Sequence, residues 1–416
     1  MAMEAIRLNS LPKSTFSAPA SEFGGNQDRA DVVNVGRLLM TERAGRSQNA
    51  LRKCAGQTED YQSIMASKDL DYSEVNGKFQ RNMLLYCAKI ASRTTGEDAP
   101  ADWEAFKVNQ RQYFSDPAFL RVLAGVVRDI VTPVLPATMS GAMDWLAQVV
   151  RTPIGKTYEV DVASNDIFLF EDDSWGASKS KPANTTYDKT FTLNPTLRTA
   201  NGTWKWYQFT GNDADIGKLL NAPSAGMYSK IMALWRNALV AASTNTTFTP
   251  TNMQFTYSNA NWITAAKRVA MLNNVGVRQV VAFGDLLALS HVLPASANGA
   301  NTNLDAALAD ALGADWARYG YAGEFMGVRL FPIDNAIVPG TQNTTISEIM
   351  PSNAIWFAAA VGSASKPIYI CFEEGTPITF EIAPSQSADM TLNVTSSISV
   401  DVQPIFASRI GYMTPV

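Results

Sequence analysis

The sequence predicts an α+β fold, because three regions of the chain show the residue patterns of different elements. In the middle of the chain, large apolar residues recur at helical spacing over about 20 residues. Near the C-terminus, residues 391–402 alternate between apolar and polar types, which is typical of a long strand. Between these regions, a helical pattern over Asn261–Leu272 is followed by a strand pattern over Arg278–Phe283. Helices and sheets therefore both belong to the predicted fold.

The composition indicates a well-packed protein with an unusually uncharged surface. The chain has 416 residues, of which 46% are hydrophobic and 17% are charged, and its net charge is −4. Typical soluble proteins contain about 25% charged residues, so we expect much of this surface to be uncharged or covered by partners. The slightly acidic balance argues against a dedicated nucleic-acid binder, whose affinity depends on Lys and Arg.

Neither an export signal nor a membrane span is predicted. The first 23 residues have no apolar run of the kind that a secretory signal needs. The cysteines, Cys54, Cys87 and Cys371, fit neither a disulfide framework nor a metal-binding spacing, and suit a reduced compartment. The most apolar stretch, residues 354–372, is interrupted by Gly, Ser, Lys and Pro.

The first 30 residues are predicted to form an extended arm, because they are rich in Ser, Asn, Pro and Gly and lack a hydrophobic period. Their isolated apolar residues are too sparse for a local core and suit grooves on neighbouring chains, so we expect this arm to become ordered only on assembly. The contact candidates in the arm are Leu8, Leu11, Phe16 and Phe23. From Asp31 to Cys54 the pattern is helical and basic, and a solvated helix face is favoured over a nucleic-acid patch.

Two further helical regions precede residue 153. One is predicted from Ser73, as the N-cap, to Arg93. The other spans about residues 116–150, has a broad apolar face and is expected to be interrupted at Pro133 and Pro136. Its apolar face predicts that this region is buried.

A long β excursion follows Pro153. Tyr158–Val162 alternates in strand fashion, and residues 191–206 supply the returning strands. The tip between them, Ser174–Thr186, consists of small, polar and turn-forming residues and cannot pack on itself. We therefore expect the tip to contact a neighbouring subunit, with Trp175, Lys179 and Lys181 as the contact candidates.

The central helix is predicted after a short helix that ends near Asn221. In this prediction Asn221 caps the longer helix and Pro223 lies in its first turn. The apolar stripe consists of Met227, Ile231, Leu234, Trp235, Ala238, Leu239 and Ala242. Each large residue that is buried contributes about 1.5–3 kcal/mol, so the helix is expected to lie across a sheet or another helix.

Motifs that would indicate catalysis are weak. His291 is the only histidine in the sequence, which excludes sites that need a histidine pair. Gly155-Lys156-Thr157 matches the end of a phosphate-binding loop, but the first glycine of that motif is missing. The acidic pairs Asp172-Asp173 and Glu373-Glu374 are interpreted as turns or solvated edges. We therefore expect no catalytic site, cofactor site or metal site.

Taken in order, these parts resemble the major capsid proteins of tailed bacteriophages, which have the Hong Kong 97 type fold. The resemblance is carried by the loop at about Thr157–Phe209, the helix at about Ala222–Ser243, the strand-to-helix junction Val280–Asp285, the turn into a strand within Tyr319–Leu330, and the end Phe406–Gly411 with Arg409. It implies an α+β Hong Kong 97-like capsid fold with an N-terminal arm, an extended β loop, a spine helix, an axial α/β domain and a peripheral β sheet.

The resemblance also implies a division of the chain. Residues 1–112 would form the arm with its helices, 113–156 a helical lead-in and 157–209 the extended loop. The peripheral domain with the spine helix would comprise 210–250 and 376–416, and the axial domain 251–375.

The function implied is that of a non-enzymatic major capsid protein without a cofactor. Its copies would form hexamers and pentamers, and these would build the icosahedral head that encloses phage double-stranded DNA. Implied partners are portal and scaffolding or cement proteins, with non-specific proximity to packaged DNA and no membrane. The implied location is the virion capsid, assembled in the host cytoplasm. Alternatives are an encapsulin-like shell and, less favoured, an α/β enzyme, which would need a preformed pocket.

Overall fold

The computed structural model contains helices and sheets, and it describes part of the chain. The described residues are 18–37, 72–96, 98–137, 146–162, 189–205, 216–245, 249, 251–292, 321, 323–333, 335–341, 344–359, 366–374, 378–384, 391–405 and 409–414.

The bounds of the elements are as follows. The helices are α1 (residues 27–37), α2 (Tyr72–Thr95), α3 (Trp103–Val108), α4 (Gln110–Ser115), α5 (Pro117–Ala137), α6 (Ile216–Thr244), α7 (Asn259–Leu272) and α8 (Leu286–Ser290). The strands are β1 (Ala147–Thr152), β2 (Tyr158–Val162), β3 (Lys189–Leu193), β4 (Thr196–Lys205), β5 (Gln254–Thr256), β6 (Val280–Gly284), β7 (Glu324–Phe325), β8 (Val328–Pro332), β9 (Ile355–Ala359), β10 (Ile368–Glu373), β11 (Ile378–Pro384), β12 (Thr391–Pro404) and β13 (Gly411–Thr414). The α+β class is the one that the sequence predicts.

The first sheet contains five described strands and is built around β12. Strand β4 pairs with one edge of β12 over Thr391–Val400, and β11 and then β10 pair antiparallel with its other edge. Strand β1 adds to β10 in parallel. Helices α5 and α6 pack against this sheet. The alternation along β12 places Ile398 and Val400 in the main core, as its sequence predicts.

The second sheet contains six described strands in the order β5-β13-β9-β6-β8-β7. Helix α7 packs on it through Trp262, which is fully buried and lies edge-on to Phe325 and Phe357. The indole N–H of Trp262 donates to the Phe325 carbonyl at 3.2 Å. Asp285 caps α8 by accepting from the Leu287 amide, which is the helix start that the sequence predicts.

The central helix is one continuous element, and the predicted break at Asn221 is wrong. Helix α6 runs from Ile216 to Thr244 with Pro223 inside it. A proline inside a helix costs about 3 kcal/mol, and each large buried side chain returns about 1.5–3 kcal/mol. The predicted stripe is buried along this helix, although Leu234 is only partly covered. Burial of the stripe therefore outweighs the local cost of Pro223.

The region before β1 departs from its predicted pattern in three ways. Helix α5 continues through Pro133 and Pro136 to Ala137 instead of breaking at the first proline. The end of the predicted helical region is strand β1, because Val149 and Val150 pair with β10 across a large sequence separation. Helix α2 begins at Tyr72, so Ser73 lies inside its first turn and is not the N-cap.

Helix α1 packs into the core, and the solvated helix face predicted for about Asp31–Cys54 is wrong over residues 31–37, whereas residues 38–54 lie outside the described residues. Val32, Val33 and Val35 lie in the main core. Arg29 donates from Nε and Nη2 to one carboxylate oxygen of Asp129 on α5, and Arg37 donates to the Asp129 carbonyl at 2.9 Å. Both arginines therefore bind Asp129 of the same chain, Arg29 through the carboxylate and Arg37 through the backbone carbonyl.

The two sheets divide the C-terminal region differently from the sequence-based domains. Strand β10, at Ile368–Glu373, belongs to the first sheet although it was assigned to the axial segment 251–375. Strand β13, at Gly411–Thr414, belongs to the second sheet although it was assigned to the peripheral segment 376–416. The chain therefore crosses between the sheets more often than a boundary at residue 376 allows.

Candidate subunit-interaction site

The predicted extended loop begins as a two-stranded ribbon, β2 and β3, here called the ribbon. Its antiparallel register pairs Tyr158 with Leu193 and Val162 with Lys189. One face of the ribbon is apolar and packs on β10 of the first sheet. The members of this small cluster are Leu193, Tyr369, Cys371 and Ile405, which are buried, and Val150, Tyr158, Val160, Val162 and Phe191, which are partly buried.

The other face of the ribbon is polar and exposed. Glu159, Asp161, Thr190 and Thr192 lie on it. The Thr190 hydroxyl donates to the Asp161 carboxylate at 2.7 Å. The ribbon therefore has an apolar face, which is stable only when other residues pack against it, and a polar face, which can remain in contact with water.

Acidic side chains of the first sheet hold both strands of the ribbon at its root. At the start of β2, the Gly155 amide donates to Glu373 Oε1 at 3.0 Å. At the end of β3, the Asn194 amide donates to Asp401 Oδ2 at 2.9 Å. The chain passes between the first sheet and the ribbon at two places, and a different carboxylate fixes it at each.

Burial under the ribbon changes the acidity of two side chains. Burial raises the pKa of the Cys371 thiol to about 11, and the neighbouring Asp401 carboxylate acts in the same direction. Burial also raises the pKa of Tyr369, with a smaller contribution from Tyr158. Both groups are therefore neutral at physiological pH and add no charge beneath the ribbon.

Strand β4 forms an edge of the first sheet. It is 10 residues long and pairs with β12 along its length. In the described part of the chain no strand pairs with its other edge. Leu197 on this strand is 67% exposed. Because an unpaired edge presents free amides and carbonyls, β4 is a second surface suited to a partner.

The helix α7 carries a further exposed apolar surface. Ile263 and Met271 are 52% and 65% exposed, and they flank exposed Lys267 at helical spacing. Val277, just beyond the helix, is also exposed. Scattered exposed apolar side chains are common, but their position along one helix face is typical of contact surfaces.

Most of the contact candidates named from the sequence lie outside the described residues. These are Leu8, Leu11 and Phe16 of the arm, and Trp175, Lys179 and Lys181 of the tip. Phe23 is described, and it packs against the main core of its own chain. The guanidinium carbons of Arg29 and Arg37 lie 5.7 and 6.0 Å from the centre of its ring. The expectation that this part of the arm has no intrachain core is therefore wrong for Phe23.

Sequence reasoning did not identify the carboxylates at the root of the ribbon or the edge strand β4. Glu373 was interpreted as a solvated edge, and it does end β10, but its acceptor role depends on a residue 218 positions away. The alternation along residues 391–402 places Asp401 on the polar side of a strand and does not reveal its partner. The acidic pair Glu373-Glu374 at the end of β10 is visible in the sequence, but the Gly155 amide that binds Glu373 could not be identified without the fold.

The described motifs that were considered for catalysis have structural roles, and the acidic pair Asp172-Asp173 lies outside the described residues. His291 follows α8 as its C-cap and is exposed. Gly155 has φ +73° in the turn between β1 and β2, so the Gly155-Lys156-Thr157 motif joins two strands and opens no helix. Among the described residues, no three His, Cys, Asp or Glu side chains are grouped to hold a metal ion.

None of the described helices combines the length and the apolar character that crossing a bilayer requires.

Comparisons with known proteins give matches among solved structures. No family model matches the chain, and no curated protein sequence matches it. A structure of Microbacterium phage Oxtober96 matches with a TM-score of 0.40 and 12% identity over 67% of this chain and 91% of that one. The capsid structure of the cyanophage P-SCSP1u matches with a TM-score of 0.41 and 10% identity, over 66% of this chain and 88% of that one. The mature capsid of bacteriophage PhiM1 matches with a TM-score of 0.41 and 10% identity, over 65% and 86%.

The chain is similar to phage capsid structures.

Proposed function

We propose that this chain is a major capsid protein, whose copies assemble into hexamers and pentamers that form the icosahedral head around phage double-stranded DNA. The observation that carries the proposal is the ribbon. Its root is fixed on the first sheet, and it carries an apolar face that its own chain covers only in part. Such a ribbon is suited to reaching another subunit, because an isolated two-stranded ribbon has little stability in water.

The order of the elements supports the same function. The ribbon is followed by a long helix with a buried stripe, then by a sheet with α7 and α8, and then by the strands that complete the first sheet. This is the order that the sequence resemblance to Hong Kong 97 type capsid proteins implies. The low fraction of charged residues, 17%, suits a subunit that many neighbours cover.

The partners and location follow from this function. Neighbouring subunits are the main partners, and portal and scaffolding or cement proteins complete the particle. The net charge of −4 suits an inner wall that lies beside packaged DNA without binding it tightly. The protein would reside in the virion capsid after assembly in the host cytoplasm and would act without catalysis.

Replacement of the tip tests the proposal. A variant in which a short Gly and Ser turn replaces Ser174–Thr186 should keep the thermal unfolding transition of the subunit and lose assembly. Assembly is measured by sedimentation under native salt, with scaffolding protein supplied. If the wild-type chain remains a monomer or dimer in all such conditions, the proposed function is wrong.

A charge-matched pair of variants locates the contact. Lys179→Ala with Lys181→Ala removes two positive charges from the tip. Lys107→Ala with Arg111→Ala removes the same charge from α3 and α4, where Arg111 is exposed. Only the tip variant should reduce the yield of particles. Equal yields from both would remove the two tip lysines from the proposed contact.

A further inference from the structure

Two hydrogen bonds to carboxylates hold the root of the ribbon on the first sheet. Each of the two chain crossings between the ribbon and the first sheet offers one backbone amide, and a carboxylate accepts from each. We propose that Glu373 and Asp401 are positioning residues that set the direction in which the ribbon leaves the subunit. The consequence of this direction for assembly rests on the proposed function, whereas the direction itself is a property of the subunit.

The first contact fixes the entry to the ribbon. Residues 153–156 form a tight turn that the Lys156 amide closes on the Pro153 carbonyl at 3.0 Å. Gly155 adopts φ +73° in this turn, which suits glycine, and its amide donates to Glu373 Oε1. Beside it, the Glu374 amide donates to the Thr152 carbonyl at 2.6 Å. The turn is therefore held to the end of β10.

The second contact fixes the return from the ribbon. Asn194 and Pro195 join β3, which pairs with β2, to β4, which pairs with β12. Proline has no amide, so Asn194 is the donor of this two-residue link. Asp401 Oδ2 accepts from the Asn194 amide and also from Gln403 Nε2, each at 2.9 Å. Gln403 thereby holds the carboxylate in place for Asn194.

The apolar contacts beneath the ribbon cannot set its direction alone. Five members of that cluster are only partly buried, and apolar burial is non-directional. Hydrogen bonds to a carboxylate are directional and stronger than those between neutral groups. Because both contacts are exposed to solvent, their loss should free the ribbon without unfolding the two sheets.

Hydrogen exchange on the full-length subunit tests the positioning role. In Glu373→Ala with Asp401→Ala, amide exchange in residues 155–162 and 189–194 should become about tenfold faster, as expected for the loss of contacts of this strength. Glu373→Gln with Asp401→Asn keeps a neutral oxygen acceptor at both places, so its ribbon amides should exchange more slowly than in the double alanine variant and faster than in the wild type. Glu381→Ala, an exposed carboxylate on β11 of the same sheet, is the matched control and should change nothing. Exchange in α6 reports global unfolding and should stay constant.

Two results separate this inference from the proposed function. Unchanged ribbon exchange in the double alanine variant would overturn the positioning role, whatever the variant does in assembly. Faster ribbon exchange in a protein whose wild-type form never assembles would support the positioning role and contradict the capsid function. If the positioning role and the capsid function are both correct, the double alanine variant should assemble fewer particles than Glu381→Ala.

Discussion

Trp356 donates its indole N–H to the hydroxyl of Ser243 at 2.8 Å, and this bond joins β9 of the second sheet to the last turn of α6. Both residues are buried. The Ser243 hydroxyl in turn donates to the Leu239 carbonyl at 2.7 Å. The Ser243 side chain therefore helps to link the long helix, which lies on the first sheet, to the second sheet.

Removing this hydroxyl should destabilise the subunit. In Ser243→Ala the buried indole N–H loses its acceptor, so the free energy of unfolding should fall by about 1–3 kcal/mol. Thr244→Ala is the matched control, because Thr244 is exposed and its hydroxyl bonds only to carbonyls of its own helix. Urea unfolding of both variants measures the difference. Equal losses would show that the hydrogen bond from Trp356 to Ser243 contributes nothing to stability.

Two buried tryptophans should respond differently to replacement by Phe. Trp235 and Trp262 are both fully buried. Trp262 donates to the Phe325 carbonyl, whereas the Trp235 indole nitrogen has no hydrogen-bond partner in the described part of the chain. Trp262→Phe should therefore lower the free energy of unfolding by about 1–2 kcal/mol more than Trp235→Phe. Chemical denaturation tests this order, and the reverse order would contradict it.

The pairing of Arg29 with Asp129 should hold α1 on the subunit. Their side chains are 31% and 14% exposed. Asp129→Ala leaves Arg29 without its carboxylate, so the free energy of unfolding should fall by about 1–3 kcal/mol, after allowance for solvent screening. Protease cleavage within residues 27–37 should become faster. Glu104→Ala breaks the exposed pair with Lys107 and is the control, with an expected change below about 0.5 kcal/mol.

The thiol of Cys371 should make stability depend on pH in the alkaline range. Its pKa is raised from 9.0 to about 11 in the folded chain, so the unfolded chain loses this proton first as pH rises. Its contribution is fully present below pH 9 and is lost between pH 9 and about 11. The difference in stability between wild type and Cys371→Ala should shrink over this range. A constant difference would contradict the raised pKa.

The elements that the sequence predicted well are those whose pattern is local and long. The stripe of α6 and the alternation of β12 both extend over many residues, and each is buried on the expected face. Strand β1 was missed because its neighbours are helical in pattern and its pairing with β10 is decided by tertiary contacts. The prolines of α5 and α6 gave false helix ends, since propensity arguments do not include the burial that offsets them.

The candidate site was predictable only in outline. The alternation of Tyr158, Val160 and Val162 predicted the ribbon, and the structure pairs it with β3. Its anchoring by Glu373 and Asp401 was not predictable, because the acceptors lie far along the chain from their donors. The sequence predicts that Phe23 contacts a neighbouring chain, because the residues around it in sequence are small and polar, whereas in the fold it packs against the main core beside Arg29 and Arg37.

The position of β12 near the C-terminus determines when the subunit can fold during its synthesis. Asn194 must wait for Asp401, which is 207 residues later in the chain. At about 5–20 residues per second, this delay is on the order of 10–40 s. Until then β4 lacks the strand with which it pairs, and until β10 is made the apolar face of the ribbon lacks Tyr369 and Cys371 beneath it. The nascent chain therefore carries an unpaired strand edge and an uncovered apolar face on the ribosome until its last few strands emerge.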